Sequence, residues 1–176
     1  MRLERLKSAK KTEPDSKNTG SPAICPAIAV VGVGNTLFKD DGLGIHALTE
    51  LAGIIDPAKV DLIDGGTVPD IFTLISGNVE KLIIIDAADA GDKPGTLYRL
   101  APEDIEQATG TAVSLHEIGL SENLKILKLI NPGLRKVVLL GMQVKDIGQG
   151  LELSSEVAEA MPSLLQMVLQ EIEKSN

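Results

Sequence analysis

Apolar residues gather in short blocks along the chain, separated by stretches with a longer, mixed period. "AIAVVGVG" opens at Ala27, "KVDLID" and "KLIIID" follow from Lys59 and Lys81, and "VVLLG" closes the series from Val137 to Gly141. The continuously apolar blocks predict strands buried on both faces, as in a parallel sheet covered by helices on each side. Between the blocks the spacing predicts a helix from about Gly42 to Ala52, a short one after Pro69, and longer ones at about Glu117 to Ile130 and Ser154 to Lys174. The last has a helical stripe of Val157, Met161, Leu164, Leu165 and Val168, the pattern of a face packed on a core. After the turn at "GDKPG", Thr96 to Leu100 predicts a short antiparallel or edge strand. The βαβαβ rhythm predicts a single α/β domain: three layers, doubly wound, on a mostly parallel sheet of about five strands.

Residues 1 to 26 lack any lasting apolar period and predict a flexible basic tail, with the domain spanning 27 to 176. The tail holds six Lys and Arg against three acids, leaving eleven against twenty-two in the body of a chain whose net charge is −8. An acidic body repels phosphate backbones and anionic headgroups, which argues against nucleic acid and membrane surfaces as partners. With two Phe, one Tyr and no Trp, the chain also has no platform for stacking bases. Cys25 is the only cysteine, so neither a disulfide framework nor a thiolate cluster forms within the chain. No apolar run of signal-peptide or membrane-spanning length occurs, and the expected location is the cytoplasm.

In open parallel sheets, ligands bind beyond the carboxyl ends of the strands. The first strand delivers Gly32, Gly34, Asn35, Asp40 and Asp41 there, the second Asp64, and the third Asp86. Glycines between strand and helix make the tight turn that usually receives a phosphate. A dinucleotide fingerprint nevertheless fails, because Leu37 occupies the third glycine position and two aspartates lie where a pyrophosphate would rest. Asp41 also reads as a helix N-cap, and Asp86 as a buried carboxylate held by a loop hydrogen bond. Against those structural readings stands His116, at the predicted opening of a helix. Together Asp41, Asp86 and His116 offer two carboxylates to balance a divalent cation and an imidazole suited to zinc or nickel, with coordination positions left open. His46 is assigned no role.

"GVGNTLFKDDGLG", "DGGT", "LIIIDAAD", "PGTLYRL" and "SLHEIGL", in this order and spacing, resemble the [NiFe]-hydrogenase maturation proteases from about Ala27 to the last helix. The resemblance implies an endopeptidase that removes the C-terminal extension of a [NiFe]-hydrogenase large-subunit precursor once nickel is in place. It implies that Asp41, Asp86 and His116 contact nickel supplied by the precursor, that Asp40 supports the turn, and that the protein is a monomer. The long basic tail and the "GMQVKDIGQG" rim loop depart from some relatives, the latter where others carry a proline soon after the glutamine. No serine paired with a histidine is evident, and Cys25 lies in the tail, which argues against a covalent intermediate. Two alternatives stay open: a hydrolase with its own zinc at the same three residues, and a non-enzymatic module that only senses nickel in a partner.

Overall fold

The computed structural model describes residues 26–67, 70, 73–102, 104 and 120–174. Strand β1 (Ile28–Val33) leads through a 3-10 turn (Lys39–Gly42) into helix α1 (Leu43–Leu51) and strand β2 (Val60–Gly66). Strands β3 (Lys81–Ala88) and β4 (Leu97–Leu100), helix α2 (Leu120–Ile130), strand β5 (Lys136–Gln143) and helix α3 (Ser155–Glu173) complete the described elements. The five strands lie in the order β2-β1-β3-β5-β4, all parallel except β4, which pairs antiparallel with β5 at the edge. The expected class, strand count and edge strand are thus observed. Residues 1–25 of the tail, the short helix after Pro69 in part, and the start of the helix predicted at Glu117 lie outside the described residues.

The apolar runs are continuous because alternate residues serve opposite layers. Val30, Ile83, Ile85, Val138 and Leu140 pack with α1 and α3 in one core. Ala29, Val31, Leu82, Ile84, Val137 and Leu139 pack with Leu124 and Leu127 of α2 in the other. Period-2 alternation on a sheet covered on both faces leaves no position for a polar face.

At the amino edge, buried Glu171 on α3 meets Arg99 in two hydrogen bonds of 3.0 and 3.1 Å, Lys136 at 2.9 Å and Lys174 at 2.9 Å. Buried Lys81 donates to the Glu171 carbonyl at 3.0 Å and to the Lys174 carbonyl, closing the end of the helix. The Arg99 guanidinium, and after it Lys174 and Lys136, hold the Glu171 carboxyl well below its ordinary 4.5 against the opposing effect of burial. A depressed folded pKa contributes stability that is present above pH 4.5 and is lost as pH falls below it. Because the cationic partners are partly exposed, Glu171→Gln is expected to cost about 2 kcal/mol at pH 7. Urea unfolding should show this difference shrinking from pH 5 to pH 3; a constant difference would mean that packing, not charge, is lost.

Candidate functional site

Helix α1 lies unusually close to the sheet because of Gly44. A Cβ there would fall 2.4 Å from the Val33 carbonyl oxygen and 2.6 Å from that of Ile85, and both obstacles are backbone. Gly34 adds a second constraint: its φ is +131°, and a Cβ would meet the Asp41 carbonyl oxygen at 1.8 Å. Gly32 stands inside β1, under the carbonyl of Gly44, and not in the turn. Gly34 makes the tight turn expected after β1, while Gly32 and Gly44 act through close backbone approach. They let the segment carrying Asp40 and Asp41 settle onto the ends of β1 and β3.

The two aspartates of that segment have separate environments. Asp40 is 0% exposed and accepts from the Lys145 N–H (2.9 Å), the Asp146 N–H (3.0 Å), the Ser154 N–H (2.6 Å) and the Ser154 hydroxyl (2.8 Å). It ties the 3-10 turn to the rim loop and to the start of α3. Asp41 is half-buried and is not the N-cap of α1, a position taken by Gly42. Its Oδ2 instead accepts the Asn35 N–H at 3.0 Å, which turns the carboxylate back over the end of β1.

Asp86 follows three isoleucines in β3 and shares the face of Leu82 and Ile84, toward the α2 layer. The residue is 4% exposed. Its Oδ1 accepts the Ala87 N–H at 2.8 Å, while its buried Oδ2 finds no hydrogen-bond partner among the described residues. Burial pushes the Asp86 carboxyl up to about 8; the Ala87 N–H opposes the shift and the charge of Asp41 adds to it. Asp41 and Asp86 lie within electrostatic reach of each other where β1 and β3 adjoin. There the chain leaves the sheet in opposite directions, toward β2 and toward β5, which is the position where α/β sheets open a crevice.

His116 lies outside the described residues, and among the described residues no three His, Cys, Asp or Glu side chains group as metal ligands. Strand β2, expected to end at Asp64, runs on to Gly66; Asp64 is exposed within it, with its Oδ1 on the Gly66 N–H at 2.8 Å. His46 is half-buried on α1, and its Nε2 has no partner among the described residues. Sequence reading assigned no role to Gln143, buried at the end of β5. Its Oε1 accepts from the Ala90 N–H (2.8 Å), the Asp92 N–H (3.3 Å) and the Tyr98 hydroxyl (3.2 Å), and its Nε2 donates to Asp89 (3.0 Å). It fixes the loop that follows Asp86. The one available signal was a glutamine closing an otherwise apolar strand.

A family model described as hydrogenase maturation protease matches residues 45–171. The chain belongs to that family. It is 34% identical over 154 residues to a putative hydrogenase maturation protease of Methanocaldococcus jannaschii, covering 84% of this chain and 97% of the relative. The maturating endopeptidase HybD of Escherichia coli superposes with a TM-score of 0.71 at 28% identity, over 82% of this chain and 91% of HybD. HybD of Thermococcus kodakarensis gives 0.69 at 27% identity, over 83% and 99%. As a hydrogenase maturation protease the chain is a peptidase. Asp41, in the 3-10 turn, and Asp86, near the end of β3, stand at the carboxyl edge of its sheet.

Proposed function

We propose that this maturation protease removes the C-terminal extension of a [NiFe]-hydrogenase large-subunit precursor after nickel insertion, and that Asp41, Asp86 and His116 recognise the nickel borne by the precursor. The observation that carries the reading is the buried Oδ2 of Asp86, which has no hydrogen-bond partner among the described residues and lies within reach of the charge of Asp41. A buried polar atom without a partner is costly, and a cation arriving between two carboxylates removes that cost. The donor set suits nickel: the carboxylates balance a divalent charge, and an imidazole supplies a nitrogen ligand. His116 stands four residues before Leu120, where the described part of α2 begins, and α2 packs on the face that Asp86 shares. That placement supports His116 as the third contact.

A metal held this way would polarise the scissile carbonyl or a bound water. The nickel is cargo of the substrate, so recognition doubles as a check that insertion is complete. The test is incubation with the organism's own large-subunit precursors, isolated with and without nickel, followed by mass spectrometry. The expected result is loss of the extension from the nickel-loaded form alone, at a rate unchanged by prior treatment of the protease with chelator. Cleavage that ignores substrate nickel and stops on chelation would establish a resident zinc instead. A stable complex with an intact extension would establish a sensing module.

A further inference from the structure

Four of the large apolar side chains exposed on the described surface fall on two neighbouring loops: Leu37 (60% exposed) and Phe38 before the 3-10 turn, Ile147 (58%) and Leu151 (65%) after β5. The loops are joined as a short ladder. The Lys39 N–H donates to the Gly150 carbonyl at 2.8 Å, the Gly150 N–H to the Leu37 carbonyl at 2.9 Å, and Phe38 bridges Gly150. Lys39 holds a left-handed backbone (φ +46°) and pairs with Asp146, whose carbonyl accepts the Asp40 N–H at 3.2 Å. The buried Asp40 carboxylate ties the same two loops together from below. Scattered exposed leucines are ordinary, but apolar side chains grouped on a braced ridge mark a contact surface.

From these observations we infer that this ridge is the docking surface for the protein substrate, an apolar strip of the large-subunit precursor. The inference rests on the peptidase reading given above. The ridge is continuous with the proposed site: the Asp41 N–H donates to the Phe38 carbonyl at 3.0 Å, and the Asn35 N–H holds the Asp41 carboxylate. A free ion would reach Asp41 without touching the ridge. A metal held inside a polypeptide arrives with that polypeptide around it, and the ground next to Asp41 is the ground it covers. Because the ladder is already formed, little loop entropy is lost on docking, and covering the ridge also excludes water from the aspartates.

The test is steady-state cleavage of the nickel-loaded precursor by wild type, by Leu37→Ser/Leu151→Ser, and by Leu129→Ser on α2, a residue 81% exposed near the opposite edge of the sheet. The ridge variant is expected to raise KM about tenfold with kcat within about twofold, because uniform binding is lost. Leu129→Ser is expected to match the wild type. An unchanged KM in the ridge variant, with the wild type active, overturns the docking surface and leaves the peptidase reading standing. A wild type that leaves the nickel-loaded precursor intact overturns that reading, and this occupant with it. Sedimentation of the free protein supplies the remaining outcome: self-association abolished by the ridge substitutions would make a second copy the occupant and overturn the proposal.

Discussion

Asp86→Asn is expected to abolish precursor processing while making the free protein harder to unfold. The two effects have one cause. In the folded protein the Asp86 carboxyl is pushed up to about 8 from an ordinary 3.8, chiefly by burial. Between those values the folded chain binds a proton that the unfolded chain has released, so the wild type loses stability as pH rises from about 4 to about 8. An amide does not ionise and escapes that loss. The variant's advantage should therefore grow through this window and level off above pH 8. Retained polar burial and local relaxation limit the gain to about 2 kcal/mol, roughly 5 °C in Tm.

Thermal melts of both proteins from pH 5 to pH 9 measure it, and parallel curves would show that Asp86 is ionised and partnered throughout. On the proposed reading, processing falls at least about a thousandfold, since a neutral amide no longer balances the metal charge. His116→Ala should lose processing as well, without Asp86's pH-dependent gain; a normal cleavage rate in that variant would remove His116 from the site.

The architecture was legible because its signals are local. "KLIIID" can bury two faces only in a covered sheet, and the stripe from Val157 to Val168 can serve only as a helix face. Asp86 was legible for the same reason, as an acid ending an apolar run. What the sequence hid depends on contacts between distant residues. Gly44 falls inside the helix predicted from Gly42, yet its constraint comes from the carbonyls of Val33 and Ile85, the second on another strand. Asp41 reads as an N-cap, but the 3-10 turn before α1 aims its carboxylate at Asn35. Asp40 was expected to support the turn. Its partners, however, lie more than a hundred residues further along, and no local pattern announces a carboxylate that joins Lys145, Asp146 and Ser154.

That long-range role predicts that the two adjacent acids fail in different ways when changed. Asp40→Ala should cost about 3 kcal/mol, because three backbone N–H groups and the Ser154 hydroxyl lose their acceptor in a partly buried setting. The helix start at Ser154 is especially exposed to this loss, since its hydroxyl is spent on Asp40 and makes no cap bond to α3. Asp41→Asn gives up a single hydrogen bond from Asn35 that an amide oxygen can still accept, so its cost should stay below about 1 kcal/mol. Both variants should process poorly under ordinary assay conditions, and activity alone would not tell them apart. Temperature does. Lowering it toward the maximum of the stability curve refolds the Asp40 variant and should restore part of its activity, whereas the Asp41 variant, already folded, should gain nothing. Recovery of both on cooling would mean that Asp41 too acts through the fold, and equal stability of the two would mean that the joint made by Asp40 contributes little.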